Sequence, residues 1–450
     1  MFENNLIAGA AGQAAGFYPY SINQSLRFND DDSAYLSRTP ATAGNRKTWT
    51  WSGWVKRGNL GSNQGIFTAR DNSANDFFYI AFSSGDSISI NDVDSSSDIT
   101  LLNTEAVFRD PSSWYHIVVV IDTTQASSTE RIKLWVNGQR FTSFTGNILP
   151  PLNFDGLVNS SSVLHRIGHF QDTSRYLDGY MAEINFIDGQ ALDPTSFGEF
   201  KSGVWVAKRY TGTYGTNGFY LPFENGLGND ESGNGNDWTA NNLAATDIVL
   251  DSPTNNFATW NPIRTPISYK EGNLFAFQYS DGSYANDFSN IAIPSSGKWY
   301  YELRHTHSGR GYRIGISSSE EADTNLGNAN CHVLIYNATN VVYRNDSNET
   351  HTGSWFSSGS YILSISIDMD AGTINAFQDN NLIYSGSLPS NYLDHSLFFV
   401  FEDTSGGSTS SASNIANFGQ DSSFAGNETA QGNTDENGIG DFYYTRLLGS

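Results

Sequence analysis

The chain has 450 residues, of which 38% are hydrophobic and only 16% charged, and it carries 43 glycines and a formal net charge of −23. A charge of that sign repels phosphate backbones and anionic membrane surfaces, so we expect no nucleic-acid partner. No apolar run approaches the roughly 20 residues that a membrane helix needs, so we expect no membrane insertion. The length fits two all-β domains, since such domains can reach about 200–250 residues each.

Cys331 is the only cysteine, which excludes an intrachain disulfide. The N-terminal segment has no Lys or Arg before Arg27 and therefore lacks the basic start of a secretory signal. We expect synthesis in a cytosol without export by the usual route. Aromatic residues and Thr favour pleated strands, while Ser, Asn and Gly supply turns, so the composition predicts many short strands joined by loops.

An N-terminal arm is predicted over residues 1–24, where small residues precede an aromatic cluster around Pro19. Strand patterns begin at about residue 25. The stretch 48–58, TWTWSGWVKRG, alternates Trp with Thr or Ser, as a strand with one face on a core does. The stretch 114–122, WYHIVVVID, is almost continuously apolar, which predicts a central strand of a sheet.

Residues 132–141, IKLWVNGQRF, predict a β-hairpin. Its alternate apolar residues share one face, and Asn137-Gly138 suits the two positive φ angles of a type I′ turn. A similar hairpin is predicted at 374–384, INAFQDNNLIY, with Asn380-Asn381 at the turn, because Asn also tolerates positive φ. The repetition indicates two related domains.

The remaining segments complete the predicted organisation. A helix of one or two turns should follow the strand at 176–188, with Asp193 as its N-cap and Pro194 in its first position. A turn-rich bridge then either completes the first domain or only joins the two. The arm, first sandwich, bridge, second sandwich and polar Gly-rich tail are predicted at residues 1–24, 25–200, 201–262, 263–425 and 426–450.

Two families resemble these domains. The strands at 48–58 and 114–122, the Asn-Gly hairpin and LDGYMAEINFIDGQALDP at 177–194, in that order, resemble a laminin-G-like, concanavalin-type jelly roll. The stretches SGKWYYELRHTH, RIGISS and NIANFGQDSSF of the second domain resemble a SPRY domain. Both families are two-sheet antiparallel sandwiches. The predicted fold class is therefore all-β, with two concanavalin-type β-sandwiches in tandem after a short arm.

Nearly the whole chain, from MFENNLIAGA through DSPTNNFATWNP to GNTDENGIGDFYY, is also similar to tail-fibre and other virion surface proteins of marine bacteriophages. The similarity implies a virion protein, made in the host cytoplasm, whose arm contacts other virion proteins through Phe17, Tyr18 and Tyr20. Its sandwiches would attach to a host-surface polysaccharide or protein. The alternatives are a capsid decoration protein and a free soluble lectin. Fibres are often trimeric, which implies a homo-oligomer, although the sequence has no coiled-coil heptads.

Some concanavalin-type sandwiches are glycoside hydrolases, whose carboxylates alternate along one strand in the pattern Glu-x-Asp-x-(x)-Glu. Retaining hydrolysis needs two carboxyls about 5–5.5 Å apart. The nearest match here is Glu183, Asn185 and Asp188, in which the middle position is an amide and the last is shortened and out of phase. We therefore expect no catalytic residues and no enzyme activity, the alternative being a degraded glycanase.

The loop NDESGNGNDW at 229–238 concentrates oxygen-bearing side chains. Such a density can hold Ca²⁺, and the laminin-G-like resemblance implies calcium at a rim of the sandwich. The other interpretation is a turn cluster of Asn, Asp and Gly. Asp230 and Asp237 are therefore candidate calcium ligands, with Glu231, Asn234 and Asn236 beside them, and no other cofactor is expected.

Two candidate ligand sites combine an aromatic ring with polar groups. One ends the calcium-candidate loop, and the other is the loop of the second domain where SPRY domains usually bind partners. They comprise Asn236 and Trp238 in the first site, and His307, Arg310 and Tyr312 in the second. His305 and His307 are expected to face solvent, since a zinc site needs three or four ligands.

Overall fold

The computed structural model describes residues 17–71, 75–170, 174–263, 268–277, 285–306, 312–318, 331–336, 341–344, 349–350, 359–403, 413–435 and 437–445. The chain divides into two units, Met1–Asn256 and Phe257–Ser450, and each is built on two antiparallel sheets. The predicted all-β fold with tandem sandwiches is confirmed. Within the described residues the helices are single 3-10 turns at Ser128–Glu130, Pro194–Ser196, Ala245–Asp247 and Tyr392–Asp394.

The strands of the first unit follow one another in short steps along the chain. They are β1 (Ser25–Phe28), β2 (Tyr35–Arg38), β3 (Thr48–Arg57), β4 (Gln64–Arg70), β5 (Phe77–Phe82), β6 (Ile88–Asp94), β7 (Ser97–Thr104), β8 (Trp114–Asp122), β9 (Ile132–Val136), β10 (Gln139–Phe141), β11 (Phe144–Ile148), β12 (Leu164–Ile167), β13 (Gly179–Asp188), β14 (Gly198–Lys201), β15 (Val204–Ala207), β16 (Phe219–Leu221), β17 (Thr239–Asn241) and β18 (Ile248–Val249).

These strands form two large sheets and one separate hairpin. Sheet 1 has the order β10-β9-β8-β3-β13-β1-β18, and β16 pairs with β13 beside β1. Sheet 2 has the order β11-β7-β6-β5-β4-β12-β2-β17, and β14 pairs with β15 alone. Apolar side chains from both sheets, such as Trp51, Ile80, Val119 and Met181, are buried between them. In β9, for example, Ile132, Leu134 and Val136 are buried in this core, as the alternation predicted.

Local turn chemistry was read correctly in the first unit. Asn137 and Gly138 have φ of 48° and 74°, so the predicted Asn-Gly hairpin is confirmed. The helix predicted after β13 is a single turn that begins at Pro194. Asp193 Oδ1 accepts a hydrogen bond from Thr195 N at 2.9 Å, which confirms the predicted N-cap.

The face of sheet 1 that points away from the core carries a second buried layer. Ile22, Trp54, Tyr180 and Val249 pack together there, with Tyr20 and Trp205 at the margin. Ile22 N donates to Thr254 Oγ1 at 2.9 Å. Residues 17–24 and 249–256 therefore fold onto the first unit.

An ion pair holds the end of the bridge that was predicted at 201–262 in the buried layer on the outer face of sheet 1. Lys56 Nζ lies 2.7 Å from Asp251 Oδ2, and both side chains are fully buried. Farther back, β16 pairs with β13, β17 with β2 and β18 with β1. The bridge up to residue 256 therefore completes the first sandwich.

The second unit repeats the two-sheet plan. Its strands are β19 (Ser268–Lys270), β20 (Phe275–Phe277), β21 (Ala285–Phe288), β22 (Lys298–Thr306), β23 (Tyr312–Ser318), β24 (His332–Tyr336), β25 (Val341–Arg344), β26 (Glu349–Thr350), β27 (Ser360–Asp368), β28 (Thr373–Gln378), β29 (Asn381–Ser387), β30 (Leu397–Asp403), β31 (Ser413–Asn417), β32 (Asn433–Thr434) and β33 (Asp441–Phe442). One sheet has the order β19-β20-β31-β22-β27-β28-β29 and the other β21-β30-β23-β24-β25-β26, and β32 pairs with β33.

The second hairpin forms with a different turn pair from the one predicted. Asp379 and Asn380 take the positive φ angles, 46° and 67°. Asn381 is already paired with Gln378 across the ladder. The predicted turn Asn380-Asn381 is therefore wrong by one residue, because Asp tolerates left-handed backbone as Asn does.

The segment predicted as a polar tail is tied to the second sandwich by a buried carboxylate. Glu302 accepts hydrogen bonds from Tyr443 N at 2.8 Å and Tyr444 N at 2.9 Å, and it is fully buried. Arg304 Nε lies 2.7 Å from Glu428 Oε1. Glu428, Tyr443 and Tyr444 thus contact β22.

Candidate functional site

The backbone of β13 is distorted at the strand that carries the glycosidase-like pattern. Pairing with β3 shifts register between Ala182 and Asn185, and Glu183 has φ of 51°. A left-handed glutamate inside a strand is an uncommon conformation that the surrounding structure must hold in place. The bulge directs the Glu183 side chain into the layer that covers sheet 1, where the residue is 6% exposed.

Two phenols hold the Glu183 carboxylate. Tyr220 Oη donates to Glu183 Oε1 at 2.5 Å, and Tyr20 Oη donates to the same oxygen. Arg209 Nη1 donates to Tyr220 Oη at 3.0 Å and to Tyr20 Oη at 3.4 Å. These four residues, together with Tyr214, are called the Glu183 site below.

The electrostatics of the site keep the phenols as donors. Burial, and next the charge of Glu183, raise the pKa of Tyr20 to about 12. The same causes raise the pKa of Tyr220. Burial raises the pKa of Glu183, and hydrogen bonds from the two phenols and the charge of Arg209 oppose that rise. The site therefore carries a carboxyl inside and a cation at its surface.

A row of tyrosine rings leads outward from Glu183. The rings of Tyr214 and Tyr220 stack with centroids 6.3 Å apart, and Tyr210 meets Tyr214 edge-on at 5.1 Å. The Arg209 guanidinium lies over the Tyr220 ring, 4.7 Å from its centroid. Arg209 is exposed, and Tyr20, Tyr210 and Tyr214 are half-buried. The surface thus offers apolar ring area with polar tips, which suits a ligand that is apolar on one face and hydroxylated at its edges.

The other two positions of the glycosidase-like pattern have structural partners. Tyr214 Oη donates to Asn185 Oδ1 at 2.9 Å. Asp188 accepts from Asn45 N at 2.7 Å and Asn217 N at 3.0 Å. Asp188 therefore fastens surrounding loops together, and Glu183 is the one carboxyl that this strand contributes to the site.

The calcium-candidate loop is organised by hydrogen bonds of its own acidic residues. Asp230 accepts from the backbone N–H groups of Tyr220, Ser232 and Asn236, at 2.9, 2.9 and 2.8 Å. Asp237 Oδ1 accepts from Asp230 N at 2.8 Å. Among the described residues, no group of three or more His, Cys, Asp or Glu side chains is placed to hold a metal ion. The calcium site stays a prediction.

The residues of the first candidate ligand site are packed and hydrogen-bonded within the first unit. Trp238 is 6% exposed and packs in the core, with its ring edge-on to Phe219 at 4.9 Å. Asn236 Nδ2 donates to Thr216 O and Gly218 O, and its Oδ1 accepts from Arg38. The structure therefore places both residues among protein partners.

The second candidate site falls largely outside the described residues, since His307 and Arg310 are not among them. Tyr312 is 2% exposed, and its hydroxyl lies 2.6 Å from that of Tyr361. The expectation that His305 faces solvent is wrong: it is buried, and its ring lies 4.2 Å from the ring of Tyr312. Strand alternation puts His305 on the same face as the core residue Leu303.

The aromatic cluster of the arm lies on the first sandwich. Tyr20 reaches the Glu183 site, and the Phe17 ring lies 5.5 Å below Lys201 Nζ. Tyr18 meets Phe17 edge-on at 5.1 Å. The role of Phe17, Tyr18 and Tyr20 as virion anchors stays a prediction.

Sequence reasoning singled out Glu183 and Tyr20 for separate reasons and did not connect them. It missed Arg209, Tyr214 and Tyr220 altogether. The one signal available was the density of tyrosines in RYTGTYGTNGFY at 209–220, which was interpreted as turns and one strand.

The geometry defines the first unit as a concanavalin-type sandwich with a tyrosine-lined carboxyl site. A family model described as "Concanavalin A-like lectin/glucanases superfamily" matches residues 29–196. A domain of this type suggests binding of a carbohydrate or of a protein. No curated protein gives a significant match to the sequence.

Three solved structures show weak likeness. The SPRY domain of human HERC1 is 18% identical, with a TM-score of 0.29, covering 35% of this chain and 96% of that one. A heptameric SAP-like pentraxin from Limulus polyphemus is 16% identical, with a TM-score of 0.29, covering 38% and 79%. Domains LG4-5 of the mouse laminin α1 chain are 10% identical, with a TM-score of 0.32, covering 89% of each chain.

Within the part of the chain that the structure describes, no helix is both long and apolar enough to span a bilayer.

Proposed function

We propose that this chain is a non-enzymatic structural protein of a bacteriophage virion, a tail fibre or another surface-displayed adhesin, that attaches to a host-surface glycan. The resemblance of nearly the whole sequence to phage virion surface proteins supports a place for the chain on a virion. The observation that carries the binding role is the Glu183 site, in which a buried carboxyl orders two phenols and an exposed guanidinium along a row of rings.

Each part of the site has a function in this proposal. The half-buried rings of Tyr20 and Tyr214 cover the C–H face of a sugar, while Arg209 donates to its hydroxyl or acidic oxygens. Glu183 is a positioning residue, since it contacts the phenols and the ligand contacts the surface beyond them. Of the glycosidase-like pattern on β13, only Glu183 reaches the site, which favours binding over hydrolysis because retaining glycosidases use a pair of carboxyls.

Binding is tested with the full chain on an array of immobilised bacterial surface polysaccharides. We expect saturable binding that Arg209→Ala weakens at least about tenfold, the effect of losing one charge-assisted contact. Arg140→Ala is the matched control, because Arg140 is also exposed and lies over a ring, that of Trp135 at 5.9 Å. Equal effects of the two variants would place the glycan elsewhere.

The absence of catalysis is tested on the same polysaccharides. We expect no release of reducing ends by the wild type over long incubation. Release that Glu183→Gln abolishes would instead identify a glycanase.

Attachment to the particle is tested by deleting residues 1–16. The deletion stops there because Tyr20 and Ile22 belong to the packed first unit. In particles assembled with the deleted chain, we expect the protein to be lost while its sandwiches stay folded. Normal incorporation would contradict anchoring by residues 1–16 and leave Phe17, Tyr18 and Tyr20 as the anchoring part of the arm.

A further inference from the structure

The core of the first sandwich ends in a small cavity closed by residues 150–158. The cavity has room for about one water molecule. Most of its wall is apolar, including the rings of Trp49 and Phe78, but four polar residues also line it, namely Arg46, Asp92, Thr100 and Thr123. An acidic side chain therefore faces the interior of the sandwich.

The orientation of Asp92 follows from strand alternation. Ile88 and Ile90 of β6 are fully buried in the core, and Asp92 is the next residue on that face. Asp92 is 8% exposed. No described group donates a hydrogen bond to its carboxyl. A buried ionised carboxylate without such donors is unfavourable, because the lost hydration is not replaced.

The loop closes directly over this carboxyl. A Cβ placed on Gly156 would lie 3.0 Å from Asp92 Oδ2, so the glycine lets the loop approach. Arg46 Nε donates to Gly156 O at 2.6 Å, and Thr123 Oγ1 donates to Phe154 O at 2.8 Å. Arg46 Nη2 also donates to Asp155 O at 3.0 Å, and Arg131 Nη1 donates to Pro150 O at 3.0 Å. Several hydrogen bonds of this kind thus hold the loop closed.

The charged groups around Asp92 come from several elements. Arg46 is the cation that faces it, and Asp94 on β6 and Asp76 beside β5 are the neighbouring anions. On the loop itself, the Asp155 carboxylate is paired with Lys47 Nζ at 3.5 Å. Burial, followed by the charge of Asp94, raises the pKa of Asp92 to about 7 although Arg46 opposes the rise.

We propose that Asp92 is a proton-binding group that controls whether residues 150–158 close the end of the first sandwich. The protonated carboxyl is neutral and stays in the cavity, with the loop closed. The ionised carboxylate requires full hydration, and the closed loop leaves it little contact with water, since the residue is 8% exposed. Proton loss thus opens this end of the sandwich.

The direction of the pH effect follows from the linkage between proton binding and loop closure. Asp92 holds its proton more tightly in the closed form than in an open, hydrated one, so closure is fully favoured below the ordinary pKa of about 3.8. That preference is lost as the pH rises through about 7. His165, which accepts from Asn159 N at 3.2 Å near the loop end, has its pKa lowered by burial to about 4. It stays neutral between pH 5 and 8, so His165 does not contribute to changes at the loop in that window.

Amide hydrogen exchange on the full chain tests the proposal. Exchange in peptides covering 150–158, corrected for intrinsic chemical rates, should speed up roughly tenfold per pH unit between pH 5 and 7 and level off above pH 8. Asp92→Asn should abolish this dependence. The matched control Asp94→Asn, at an exposed position on the same strand, should keep it with a lower midpoint. A dependence that persists unchanged in Asp92→Asn would overturn the proposal.

Infrared spectroscopy gives a second readout. Because burial also raises the pKa of Glu183 and of Glu302, the band is taken from the difference between the wild type and Asp92→Asn, and this protonated-carboxyl band should be present at pH 5 and disappear as the pH passes about 7. Its absence at pH 5 would equally overturn the proposal, because Asp92 would then be ionised with the loop closed.

Discussion

Tyr220→Phe removes one oxygen atom from the centre of the Glu183 site and leaves the packing volume almost unchanged. The lost hydroxyl donates to Glu183 at 2.5 Å and accepts from Arg209 at 3.0 Å. Tyr220 is 2% exposed, so water does not replace the hydroxyl in the closed structure. Among the described residues, Glu183 then keeps one phenol donor, that of Tyr20, at the bulge of β13.

The size of the effect follows from these contacts. A hydrogen bond to a charged group contributes about 1.5–3 kcal/mol, and a buried acceptor left with fewer donors adds to the loss. We expect Tyr220→Phe to destabilise the first unit by about 2–4 kcal/mol. Tyr210→Phe is the matched control, since the Tyr210 hydroxyl donates to Thr213 O at 3.0 Å at the surface. Its loss should cost less than about 0.5 kcal/mol.

Native-state hydrogen exchange on the full chain measures both variants, because it resolves the opening of each unit separately, whereas multi-domain proteins commonly depart from two-state unfolding. Peptides covering β13 and β16 report the free energy of opening of the site, and peptides of the second unit serve as an internal reference. A Tyr220→Phe variant that matches Tyr210→Phe within error would refute the claim that the phenols hold Glu183.

Three further predictions concern the first unit. Lys56→Met should lower the free energy of unfolding of the first unit by about 3–5 kcal/mol, because Asp251 is left buried without its cation. The double variant Lys56→Met with Asp251→Leu should recover most of this loss in urea unfolding. A double variant no more stable than the single one would contradict the prediction. Gly138→Ala should lower the free energy of unfolding by about 1–3 kcal/mol, because the φ of Gly138 is +74° and a Cβ there would lie 2.4 Å from Trp205 Cε3. The measurement is a thermal melt, and an unchanged melting temperature would contradict the prediction. Burial lowers the pKa of His116 to about 3, so the neutral form is favoured in the folded unit and stability should fall from about pH 6.5 downward, by up to about 1.4 kcal/mol per pH unit. A His116→Gln variant with the same acid dependence would contradict that assignment.

Strand chemistry was predictable because it is local. The Asn137-Gly138 turn and the Asp193 cap depend on neighbouring residues alone, and both were correct. The second turn was misplaced because Asp379 and Asn380 compete with the Asn pair for positive φ, and only the pairing of β28 with β29 decides between them.

The site was not predictable in the same way because its parts are distant in sequence. Tyr20 and Glu183 are 163 residues apart, and nothing local in either stretch indicates that a bulge brings them together. His305 was misjudged for a related reason, since alternation identifies the two faces of β22 but not which one meets the core. Nothing in the sequence indicated that Asp92 is buried, because a carboxylate at the end of a strand usually lies at the surface.

The most direct measurement of the central claim is the location of this chain in an electron density map of intact phage particles that encode it. The proposal predicts a surface-displayed protein whose two β-sandwiches project outward, with the N-terminal residues against the particle and the Glu183 site open to solvent. Purified infectious particles that lack the chain, or a map that buries the Glu183 site against other virion proteins, would contradict it.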